Sequence, residues 1–212
     1  MSTATTERIA SEIQTDLTPA DPLGNPMVIG LAGFVVGSVA LGLQLSGYVS
    51  AAAGAAILPI IFGSSSAASL LATLWAARLG QNAVAAVFGV FTGFWTSYTL
   101  LVMGLTKGWL AIPPADIPHT QAIFLISWLV VVVALTIGSV RLPSSFTLVF
   151  ALVDVTLVLQ LIGVLNSNAN ALKYSGYSTL AFAAIGVYLF LDAFNQATGG
   201  KPLPIGSPLV TD

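Results

Sequence analysis

Cysteine is absent from the chain, which removes disulfides, thiolate metal sites and a cysteine nucleophile in one step. Charge is scarce as well. Only 7% of the 212 residues are Asp, Glu, Lys or Arg, where a water-soluble domain carries about a quarter. So few charges cannot cover a surface that faces water. No basic cluster is present, so nucleic acid is not an expected partner. His119, the single histidine, sits in a proline-rich loop and reads as a surface residue, because one imidazole cannot hold a metal by itself. Segments alternating polar and apolar residues, the mark of a membrane β-barrel, are missing too.

What is present is apolar. Hydrophobic residues make up 56% of the chain and the mean hydropathy is +0.94. Lipid is the natural solvent for such a chain, and there the backbone must satisfy its own polar groups, so long apolar runs imply helices. Six runs stand out, at about 26–46, 50–77, 82–106, 119–140, 144–165 and 172–195, each near the roughly 20 residues that cross a bilayer. The expected fold class is an all-α integral membrane protein of six transmembrane helices, with the lipid bilayer as its surroundings. Residues 1–24 are polar and acidic (Glu7, Glu12, Asp16 and Asp21 against Arg8). They lack the positive region of a signal peptide and read as a retained, flexible tail. The membrane domain is expected over 25–196, and a proline- and glycine-rich tail that cannot be helical over 197–212. With an even number of spans, Arg8, Arg78, Arg141 and Lys201 share one side against Lys107 and Lys173. That excess places both termini in the cytoplasm.

Few residues invite chemistry. Asp154, inside FALVDVTLVLQLIG, is a carboxylate near mid-span, which costs at least a few kcal/mol unless neutral, paired or hydrated. It reads either as a proton or solute site on a wet path, or as a helix–helix hydrogen bond to a neighbouring hydroxyl or another subunit. Asp192, close to a span end, reads as an interfacial or hydrogen-bonded residue. Phe88, Phe91, Trp95 and Tyr98 form an aromatic stripe at helical spacing, whose plain reading is packing or lipid contact and whose functional reading is a pore wall. Ser64, Ser65 and Ser66, among the small residues of the second run, read as packing that lets helices approach. No nucleophile–base pair, phosphate loop or nucleotide motif occurs, so neither an enzyme nor a cofactor is expected.

Asn25-Pro26 followed by Gly30-Leu31-Ala32-Gly33-Phe34 resembles the NPxxxGLxGF signature of the acetate uptake transporter family. Gly47-Tyr48, FGVFTGFW at 88–95, Phe150, Gly163, Gly176-Tyr177, Tyr188 and the closing LPIG at 203–206 keep the same order. The resemblance covers about 25–206. It implies six helices around a central solute path, a homohexamer, and acetate or another small carboxylate, in some members succinate, as the permeant. It implies a constriction from the first, third and fifth spans, which falls on Phe34, Phe91 and Val153, with Asn25 and Pro26 shaping the cytoplasmic mouth. This chain departs from the family in places. Phe91 stands where tyrosine is common, Val153 where leucine is, and Ala67 where a glutamine is. Asp154 stands where relatives are neutral. Two other functions share the architecture or the composition: a channel for neutral solutes such as urea or ammonia, and a non-conducting accessory subunit.

Overall fold

In a chain this apolar the backbone bonds to itself. The computed structural model, which describes residues 24–211, is accordingly helical through most of its length. The acidic tail expected over 1–24 lies, except for Gly24, outside the described residues.

Among the described residues, six helices are long and apolar enough to cross a membrane. They are α1 (Met27–Ser46), α2 (Ala52–Arg78), α3 (Asn82–Lys107), α4 (Ile117–Gly138), α5 (Ser144–Leu165) and α6 (Ala169–Ala197). At 1.5 Å per residue the shortest, with 20 residues, spans about 30 Å, the thickness of a hydrocarbon core. The boundaries follow local chemistry. Asn25 Oδ1 accepts from Met27 N–H at 3.0 Å and opens α1. Gly47, at φ 91°, closes it in the left-handed conformation that glycine adopts without strain, with Tyr48 N–H donating to Leu43 O at 3.0 Å. Asn168 Oδ1 caps α6 by accepting from Ala171 N–H. His119, expected in a loop, lies in the first turn of α4 and is exposed.

Helix α2 is not the regular helix that its composition suggests. Its start lies within a 3₁₀ segment (Ala51–Ile57), after which it makes one α turn at Leu58–Ile60, continues as a π segment (Ile61–Ser66) and becomes α-helical over Ala67–Arg78. Pro59 has no N–H to give to the preceding turn, and Gly63 with the serines beside it resists a register shift weakly, so the hydrogen-bond ladder changes pitch here.

The packing of the six explains which faces are inside. Helix α1 lies against α6 and α2, α6 also against α5, α5 against α4, and α2 against α3. Glycines set the closest approaches. A Cβ on Gly33 would collide with the Ala68 methyl, and one on Gly176 would meet Leu45 C at 2.8 Å and Gly42 O at 2.9 Å. Two of the three serines expected to pack, Ser65 and Ser66, do so. Ser66 Oγ shares a 2.5 Å hydrogen bond with Thr96 Oγ1, and Ser65 Oγ fills the space where a Gly37 side chain would stand.

Beyond Ala197 the chain is non-helical, as its glycines and prolines require, but it is not loose. Residues 203–210 turn back across one end of the bundle and hydrogen-bond to α5, α6 and the α4–α5 turn.

Candidate permeation path

Three cavities lie end to end through the bundle. The first is about 160 Å³ and opens where α1, α3 and α5 begin and α6 nears its end. Met27, Leu31, Val84, Phe88, Phe146 and Leu189 stand in its wall, and every lining side chain is apolar. The third is about 450 Å³ and lies at the opposite end, among Gln44, Tyr98, Thr106, Gln121 and Ser167. Between them is a chamber of about 20 Å³, room for about one water. Phe34 and Phe91 line both the first cavity and the central chamber, and Gln160 lines both the central chamber and the third cavity. The three therefore adjoin in series, and that series is the candidate route.

The residues named from sequence meet here. Phe34 and Phe91 are edge to face with ring centroids 4.9 Å apart, a preferred aromatic geometry. Phe182 leans on Phe34 at 5.7 Å, and Phe150 stacks on Phe91 at 6.4 Å. Val153 joins Phe34 and Phe91 in the wall of the central chamber. All three are buried. The family signature around them has a plain physical content. Asn25 caps the helix, Gly30 leaves room for the Phe88 ring, Gly33 lets α2 approach, and Phe34 then projects into the route. Pro26 is buried at the start of α1.

Asp154 stands apart. It lines none of the three cavities, and its Oδ2 instead accepts from Thr136 Oγ1 of α4 at 2.7 Å. The same seam holds Ser139, which donates to Thr147 Oγ1 at 3.1 Å. The adjacent position in sequence does not carry the carboxyl to the route, because successive residues on a helix point about 100° apart. Asp192 is buried and accepts from Leu203 N–H at 2.7 Å and from Gln196 Nε2 at 2.9 Å, which is a structural hydrogen bond.

Other lining residues carried little signal in the sequence. The aromatic stripe of α3 lines the route from end to end, with Phe88 in the first cavity, Phe91 at the junction, Trp95 in the central chamber and Tyr98 in the third cavity. Its helical spacing is what packing alone would also produce. Thr156 and Gln160 line the central chamber one and two turns beyond Val153. Trp95 Nε1 and Thr156 Oγ1 are buried without a hydrogen-bond partner, an arrangement that costs about 1–3 kcal/mol per group.

Known proteins resemble this one over most of its length. Residues 10–199 match the profile of the GPR1/FUN34/yaaH family. An uncharacterised protein of Methanothermobacter thermautotrophicus is 25% identical over 197 residues, covering 90% of this chain and 95% of its own. The succinate-acetate/proton symporter SatP of Escherichia coli K12 is 27% identical over 191 residues, covering 87% of this chain and 96% of its own. The solved structure of the bacterial acetate channel SatP superposes with a TM-score of 0.76 at 24% identity, over 87% of this chain and 99% of that one. The six-helix arrangement is therefore a known one.

Proposed function

This chain belongs to the GPR1/FUN34/yaaH family, and from that premise we propose that it carries acetate or a similar small carboxylate, succinate included, across the inner membrane of a bacterial-type cell. The solute passes through each protomer by way of the throat formed by Phe34, Phe91 and Val153. The protomer has both termini in the cytoplasm, and six copies assemble as a ring, each with its own path. The relatives that transport succinate and acetate with protons support the choice of solute.

The observation that carries the reading is the sequence of environments along the route. An apolar vestibule leads to an aromatic throat, and beyond it stand a small apolar-walled chamber and a wider outer vestibule whose wall mixes apolar side chains with Gln44, Tyr98, Thr106, Gln121 and Ser167. A bare carboxylate entering the throat would lose its water and find no cation. Protonating a carboxyl of ordinary pKa, about 4.3, costs about 3.7 kcal/mol at pH 7. Burying the unpaired charge costs more. The acid, or the anion accompanied by a proton, is the cheaper passenger. Because the central chamber holds about one water, the aromatic rings must also move as a carboxylate goes by.

Asp154 belongs, on this reading, to the α4–α5 seam and not to the proton's route. Neutral solutes such as urea make a second reading, favoured by the fully apolar inner cavity.

Flux of labelled acetate into proteoliposomes tests the proposal. From pH 7 toward pH 5 the protein-dependent rate should rise by up to about tenfold per unit, following the protonated fraction of a carboxyl with pKa about 4.3. A pH-independent rate that urea competes away would instead establish the neutral-solute channel. No flux of any small acid or amide would leave an accessory subunit.

A further inference from the structure

The permeation reading leaves the folded-back C-terminal segment without a role, and the segment is too well held to be a loose end. Ser145 donates twice to Ile205 O, from N–H at 3.3 Å and from Oγ at 2.6 Å, and Ser144 N–H donates to Ser207 O at 3.2 Å. These are N–H groups of the first turn of α5, which have no partner within the helix. Leu209 and Val210 N–H both donate to Val140 O in the α4–α5 turn. On α6, Tyr188 Oη donates to Pro204 O at 3.0 Å, and Asp192 Oδ1 takes Leu203 N–H at 2.7 Å. Ile205 packs on the edge of the hydrophobic core. Residues 203–210 thus tie the beginning of α5 to the end of α6, and Asp192 is the buried anchor of the tie.

Helix α5 is the element on which that tie matters. Phe146 and Val149 form part of the inner cavity, Phe150 stacks on Phe91, and Val153 lines the chamber. Its first turn follows Pro143, which donates no backbone hydrogen bond to hold it. We propose that the C-terminal segment is a brace for α5, with Asp192 as its positioning residue. The brace holds Phe150 and Val153 at the throat and thereby sets which size of carboxylate passes. This rests on the permeation reading for its transport consequence, though not for the brace itself.

Asp192→Ala removes the anchor, and Asp192→Asn keeps a side-chain oxygen for Leu203 N–H. In proteoliposomes the ratio of propionate to acetate flux should rise roughly threefold or more in Asp192→Ala, a change equivalent to about 0.7 kcal/mol, and stay at the wild-type value in Asp192→Asn. Hydrogen exchange reads the brace without any solute. The first turns of α5 should exchange faster in detergent-solubilised Asp192→Ala than in wild type. Because the chain has no cysteine, Ser144→Cys with Ser207→Cys puts a background-free cysteine pair across the tie, where Ser144 N–H meets Ser207 O at 3.2 Å. Oxidised, it should restore both readouts in Asp192→Ala, and added to wild type it should leave the flux ratio unchanged. The brace is overturned by unchanged exchange and an unchanged ratio in Asp192→Ala, or by a disulfide that stops flux in the wild type and so shows that the segment must move. If Asp192→Ala does not fold, the wild-type disulfide pair still decides. Absence of acetate flux through the wild type would sink the permeation reading alone, and the exchange experiment would still judge the brace.

Discussion

Asp154 and Val153 are neighbours in sequence with different surroundings, and the difference shows how little a residue type says about its role. A carboxylate at mid-span draws attention because burying it is costly. That cost is met in part by the Thr136 hydroxyl on α4, 2.7 Å from Oδ2, while Oδ1 is buried without a partner and Val153 lines the central chamber. Asp154→Asn keeps an oxygen for Thr136 and should therefore conduct acetate with the wild-type pH profile. A profile displaced along the pH axis would return the carboxyl to the proton's path. That Phe34 and Phe91 lie together was legible from the signature around them. Thr156 and Gln160 were not, because a hydroxyl or amide in an apolar run can equally bond its own helix, and only the arrangement of neighbouring helices reveals which way it is used.

At the level of elements, small residues determine how closely helices pass. The crossing of α1 and α6 at Gly42 and Gly176 is a backbone-to-backbone contact, with Gly42 O at 2.9 Å from where a Gly176 Cβ would be. Backbone cannot rotate out of the way as a side chain can. Gly176→Val should lower stability by about 1–3 kcal/mol, visible as a lower melting midpoint in detergent. Existence and extent of all six helices were legible, since twenty or more apolar residues in lipid have no other way to satisfy their backbone. The π segment of α2 was not. Pro59 and Gly63 weaken the regular ladder, but packing decides which irregular ladder replaces it. The bound C-terminal segment was hidden for a similar reason. Its prolines exclude a helix without saying what the extended chain will lie against.

The whole molecule presents an apolar exterior, and α4 is its least buried helix. Ile123, Val130 and Ile137, seven residues apart on α4, are 69%, 67% and 68% exposed and turn one greasy stripe outward. Such a stripe suits lipid or a neighbouring copy, and native mass spectrometry of the extracted protein should give a mass of six protomers if the proposed ring forms. Orientation follows from charge. A membrane-impermeant maleimide applied to spheroplasts should label Ala111→Cys, near Lys107, and leave Thr211→Cys unlabelled until the membrane is opened. The reverse pattern would invert the topology.

By itself the sequence determined the solvent, the number and limits of the spans, and the excess of basic residues that argues for one orientation. Each of these depends on local composition measured against a bilayer of set thickness. Only the tertiary structure decided which side chains line the three adjoining cavities, that Asp154 faces α4 while Phe88 to Tyr98 stand in those cavity walls, and that the last residues bind back onto α5. Helices α4 and α5 are apolar on nearly every side, so their pattern does not say which side faces a neighbour. That is settled where glycines let two backbones meet and a ring must fill the space left between them.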